Sequence, residues 1–147
     1  MKDQDQDLTR LSQFLLGFAE AMLTKNGEFY PFTAIVNAEG EVAAGSIEIS
    51  PDQPNMSDFI ETVERLLQHS LSSGQARLTG LAINVNIPPA IKAPYPDGVR
   101  LDLGSGSIKS TVYVPYRMKR AGLLKMKRSV EFSTSITDDL PTEDRVP

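Results

Sequence analysis

The chain has 147 residues, a formal net charge of −4, and neither cysteine nor tryptophan. A chain of this length forms one domain with its own core, since about 150 residues bury roughly 70% of their unfolded surface. The lack of cysteine excludes disulfides, thiolate metal sites and a cysteine nucleophile, and the mild acidity argues against nucleic acid as a partner.

The first residues, Met-Lys-Asp-Gln-Asp-Gln-Asp7, carry charge and no apolar core, so no signal peptide is expected. Residues 1–6 read as a flexible tail, and Asp7 as the cap of a helix. In that helix Leu8, Leu11, Leu15, Phe18 and Met22 recur at spacings of three and four, with Phe14 and Leu23 widening the stripe. Burying the five stripe residues is worth at most roughly 7–15 kcal/mol, at about 1.5–3 each. Asn26-Gly27 ends the helix.

Pro31 forces Tyr30 out of the helical region, so a strand begins here. Residues 33–37 and 41–49 read as a hairpin around Ala38-Glu-Gly40, with Ile47 and Ile49 on one face. Ser50-Pro-Asp-Gln-Pro-Asn55 is a loop by composition. Asn55 or Ser57 then caps a second amphipathic helix, about 57–73, with Phe59, Ile60, Val63, Leu66, Leu67 and Leu71 apolar, and Gly74 stops it.

Residues 76–87 alternate, with Leu81, Ile83, Val85 and Ile87 on one side and Ala82, Asn84 and Asn86 on the other. The linker from Pro88 to Gly98 holds Tyr95 and four prolines, which makes it stiff. Val99, Leu101 and Leu103 alternate with Arg100 and Asp102. After Gly104-Ser-Gly-Ser107 the alternation resumes, with Ile108, Val112, Val114 and Tyr116 opposite Lys109, Thr111 and Tyr113. Two such runs joined by a Gly/Ser tetrapeptide predict a β-hairpin with one apolar face. Leu124, Met126, Val130 and Phe132 predict a last strand over 124–133.

The expected fold is α+β: an antiparallel sheet of five or six strands with two amphipathic helices, in the order α-β-β-α-β-β-β(-β). Residues 7–136 form the single domain and 137–147 an acidic flexible tail. No stretch reaches the ~20 apolar residues that span a bilayer, so a cytoplasmic protein with no membrane partner is expected.

No motif specifies catalysis. Gly104-Ser-Gly-Ser-Ile-Lys-Ser-Thr111 differs from a phosphate loop, which has glycine before the lysine and a helix after it. His69 is the only histidine, so no zinc site is expected, and no other metal or cofactor. Glu28, Asp97 and Asp102 are the candidate carboxylates for acid–base chemistry, which needs split pKa values. Residues 117–128 hold six of the fifteen basic residues and no acid. That run suits an acidic partner, or simply guards a sheet edge against aggregation. Tyr30, Tyr95, Tyr113, Tyr116 and Phe32 either gather into a contact surface or belong to the core.

Glu28-Phe-Tyr-Pro-Phe32, the Ala-Glu-Gly turn and Val114-Pro-Tyr-Arg117 together resemble a group of small uncharacterised bacterial α+β proteins, which implies no activity. The element order resembles roadblock-like and profilin-like domains. That resemblance implies two helices flanking a five-stranded antiparallel sheet in a dimerising scaffold or regulator. This chain departs from them by ending in a basic strand instead of a helix.

The expected function is a non-enzymatic protein–protein interaction or regulatory module, whose partner is another protein or a second copy of itself. The expected contact surface comprises Tyr30, Tyr95, Asp97, Asp102, Tyr113, Arg117, Lys119 and Arg120. The alternative is a small-molecule-binding protein or enzyme with a pocket beneath the 88–98 loop, built from Tyr30, Tyr95, Asp97 and Asp102.

Overall fold

The computed structural model describes residues 2–45, 55–106, 109–122 and 127–138. Helix α1 spans Lys2–Asn26 and helix α2 Met56–Ser72. Among the described residues there are seven strands, in chain order β1 Phe32–Asn37, β2 Val42–Ala44, β3 Ala76–Asn86, β4 Asp97–Gly104, β5 Lys109–Ala121, β6 Lys127–Phe132 and β7 Ile136–Thr137, with α2 between β2 and β3. The class, the antiparallel sheet and the two helices are as expected. The two-residue β7 and a 3-10 turn at Pro89–Ile91 are additional.

The strands form one antiparallel sheet in the order β2-β1-β3-β4-β5-β6, and β7 pairs with β5. The predicted hairpin is β4–β5, with Val99 opposite Val114 and Leu101 opposite Val112. β6 and β7 share the other edge of β5, β6 along 116–121 and β7 at 112–113. Ile47, Ile49, Ile108, Leu124 and Met126, which were assigned to strand faces, lie outside the described residues, as does most of the expected tail 137–147.

The two helices lie on opposite faces of the sheet. On one face Leu11, Leu15, Ala19 and Leu23 of α1 are fully buried against Ala34, Val36, Leu78, Ala82, Val99, Leu101 and Val114. The sheet curls around this helix, so that α1 touches β1, β2, β3, β4 and β6. On the other face Phe59, Val63 and Leu67 of α2 pack on Leu81 and Ile83 of β3, flanked by Ile35 of β1. β3 is therefore covered on both sides, and Ala82 is as buried as Leu81. The two alternating sets of side chains read from the sequence thus meet different helices.

The buried stripe of α1 also differs from expectation. It runs at a constant spacing of four through Leu11, Leu15, Ala19 and Leu23, and leaves Phe14 36% and Phe18 46% exposed. An unbroken row of i+4 neighbours forms one straight ridge on a helix. Gly80 of β3 lies beneath that ridge, where a Cβ would come within 2.6 Å of Leu15 Cδ1. Asp7 extends the same row. Because α1 starts at Lys2, Asp7 is inside the helix and caps nothing; it is buried and ion-pairs with Arg10 and Arg77.

The helix ends behave as the sequence indicates. Gly27 follows α1 at φ +79°, and its N–H donates to the Leu23 carbonyl at 2.8 Å. The Asn55 side chain accepts from the N–H groups of Ser57 at 3.0 Å and Asp58 at 3.4 Å, satisfying two otherwise orphan donors of α2. Among the described residues no helix is long and apolar enough to cross a membrane.

Candidate functional site

α2 rests on β3, and the same face of the sheet continues beyond it onto β4 and β5. There the outward positions of the hairpin are polar: Arg100 and Asp102 on β4, Thr111 and Tyr113 on β5. The result is a cleft of about 170 Å³ between helix and sheet. Glu64 and Gln68, four apart on α2, stand on one side; Arg100, Asp102, Lys109 and Thr111 stand on the other. Leu67, Leu71 and Leu81 supply its apolar lining, while the side chain of Leu103 turns to the α1 face of the sheet.

The strand register fixes the polar group. Asp102 pairs with Thr111 across β4–β5, and Arg100 lies two residues back on the same face. Asp102 Oδ1 accepts from Arg100 Nε at 2.9 Å and from Thr111 Oγ1 at 3.0 Å. Burial works against the Arg100 charge, but Asp102, by charge and hydrogen bond, outweighs it with help from Tyr113 and Glu64. The Arg100 pKa is therefore raised. A guanidinium held this way is a fixed cation, and the carboxylate that holds it is engaged as an acceptor.

Farther along the same face Arg117 lies over the Tyr95 ring, 5.3 Å from its centroid. Arg117 also pairs with Glu131, its register partner on β6, and Lys119 Nζ is 3.1 Å from Glu131 Oε2. The hydrogen bonds from Arg117 and then Lys119 hold the Glu131 carboxyl below the usual range. The hydrogen bond and charge of Glu131 in turn raise Arg117. The basic run is thus not a single patch. Arg117 and Lys119 are met by an acid on the neighbouring strand, whereas Arg120 takes the alternate face opposite Arg128, whose Nη1 donates to the Thr24 carbonyl at 3.5 Å.

The tyrosines do not gather. Tyr113 and Tyr116 are each 5% exposed and lie on opposite faces of β5 by alternation. Tyr116 donates to Asn84 Oδ1 at 2.6 Å and meets Phe132 edge-on, 6.3 Å between centroids. Burial, then the charge of Asp97, raises the Tyr116 pKa against the opposing Asn84 bond. Tyr30 is 61% exposed, between α1 and β1. Asp97 is exposed at the start of β4. Of the four residues expected beneath the 88–98 loop, only Asp102 lines the cleft, and no residue of that loop does.

A second surface was not foreseen. Phe14 and Phe18, one turn apart on α1, are the exposed flank left when the buried row turns toward Ala19 and Leu23. Phe18 contacts Phe32 at 4.6 Å, and Phe32 contacts Phe29 at 5.5 Å. Phe18 is thereby joined through Phe32 and Phe29 to the core. Among the described residues no three metal-ligating side chains cluster, and His69 is exposed on α2.

Comparison of the chain with family models, with curated proteins and with solved structures finds no match in any of the three.

Proposed function

We propose that the chain is a non-enzymatic interaction module that pairs with a second copy of itself through the aromatic flank of α1. The observation that carries this reading is the exposure of Phe14 and Phe18, two large aromatic side chains one turn apart on α1. Aromatic residues are enriched at the centres of protein interfaces. Met56 and Leu66, also exposed, lie on α2 across the sheet.

Two further features favour a second copy. Among the described residues β2 ends the sheet, pairs only with β1 and is touched by α1, so a sheet edge lies near this helix. A two-fold axis through one such flank makes the contact self-complementary and closed. Of the carboxylates that sequence reading put forward for acid–base work, Asp102 accepts two hydrogen bonds, and Asp97 and Glu28 are exposed. A cytoplasmic setting fits a chain without cysteine.

Amide hydrogen exchange at rising protein concentration tests the reading. Protection is expected to grow in β2 and in residues 27–31. Exchange independent of concentration contradicts it.

A further inference from the structure

The cleft between α2 and the β4–β5 face carries both signs of charge over a leucine lining. Arg100 is tied to Asp102 through Nε, which leaves its two terminal amino groups outside that bond. Lys109 is exposed at the sheet side of the cleft. Glu64 stands on α2 opposite them. Among the described residues no ion pair joins Glu64 to Arg100 or to Lys109, although the Glu64 charge is felt at Arg100. Opposite charges thus face each other across the cleft without touching.

We infer that this cleft binds a free α-amino acid with an apolar side chain, its carboxylate on Arg100 and Lys109, its ammonium on Glu64, and its side chain against Leu67, Leu71 and Leu81. Each part of the ligand answers one feature. A guanidinium fork suits a carboxylate, which takes two parallel N–H bonds. A purely anionic ligand meets repulsion from Glu64 and Asp102. A purely apolar one strips water from the rim charges and returns no partner. The volume of about 170 Å³ is close to that of cavities of roughly 150 Å³ that take up benzene, which sets the side chain at one ring or one branched aliphatic group. The C-terminus of a peptide shares the carboxylate and side chain but lacks the ammonium that Glu64 would pair. The site lies on the α2 face, across the sheet from α1, so it stands or falls independently of self-pairing.

Isothermal titration calorimetry on the full chain, with L-leucine and L-phenylalanine against their N-acetyl and amide derivatives, tests the assignment. Saturable binding of a free amino acid is expected. Removing either ligand charge is expected to weaken it about tenfold or more, as for a lost hydrogen bond to a charged group. Glu64→Gln should bring the free amino acid down to the affinity of its N-acetyl derivative and leave the latter unchanged. Lys109→Gln and Arg100→Met should weaken both. Because Arg100 also holds Asp102, Lys109→Gln and Glu64→Gln, at exposed positions, keep the test informative if Arg100→Met unfolds. Absence of saturable binding by either free amino acid overturns the assignment, as does indifference to Glu64→Gln. Tighter binding of the N-acetyl derivative would give the cleft to a peptide C-terminus instead.

Discussion

Leu15 sits over the bare backbone of Gly80: its Cδ1 is 2.6 Å from the place a Cβ on residue 80 would occupy, and Leu11 Cδ2 is 3.3 Å from it. This contact sets how closely α1 approaches β3 and, through the ridge Leu11-Leu15-Ala19-Leu23, which flank of α1 faces outward. Gly80→Ala forces that ridge away from the strand and is expected to destabilise the fold by about 1–3 kcal/mol. Urea unfolding measures it. An unchanged midpoint would mean that α1 does not lie this close.

Much of the architecture could be read from periodicity. Helical spacing marks α1 and α2, and alternation marks β3 and the β4–β5 hairpin, because these patterns are local. The choice between Phe18 and Ala19 was not local. Hydrophobicity alone favours burying Phe18, but a strand that presents glycine admits a straight i+4 ridge with a small residue in it. Likewise the twelve residues 117–128 read as an uncompensated basic run until register brings Glu131 beside Arg117 and Lys119. The cleft joins α2 to β4 and β5, whose alignment no single stretch encodes. Its one visible sign was the polar outward face of the hairpin at Arg100, Asp102 and Thr111.

The Tyr116–Asn84 hydrogen bond ties β5 to β3 across β4. Tyr116→Phe removes the donor and is expected to cost about 0.5–1.5 kcal/mol at neutral pH. The sign of the pH effect follows from the raised pKa. The folded protein holds the phenol proton more tightly than the unfolded chain, so the unfolded state loses it first. Tyr116 therefore contributes stability below the unfolded tyrosine pKa near 10, and this falls away as pH rises beyond it. Spectrophotometric alkaline titration should show a late-titrating tyrosine in the wild type that is absent from Tyr116→Phe.

Glu131 titrates in the opposite sense. Its carboxyl is held low by Arg117 and Lys119, so its pairing persists above the unfolded glutamate pKa and is lost as pH falls through the lower folded value. NMR titration is expected to give Glu131 a pKa below that of an ordinary glutamate, moving back toward it in Arg117→Gln and less so in Lys119→Gln. Since the groups are exposed, neither change should shift the unfolding midpoint at neutral pH by much, as is usual for surface pairs. An ordinary pKa for Glu131 in the wild type would contradict the β5–β6 register.

The Asn55 cap anchors the N-terminus of α2, the helix that walls the cleft. Asn55→Ala is expected to cost about 0.5–2 kcal/mol and to increase amide exchange at Ser57 and Asp58, whose N–H groups lose their acceptor. A variant with wild-type stability and unchanged exchange would remove the cap from the account.

The reading of this chain as a self-pairing module rests on the aromatic flank of α1, and sedimentation equilibrium over a range of concentrations tests that most directly. The wild type is expected to associate to a dimer, and Phe14→Ser/Phe18→Ser to remain monomeric with its fold intact by circular dichroism. A wild type that is monomeric throughout, or a double variant that dimerises as well as the wild type, would contradict it.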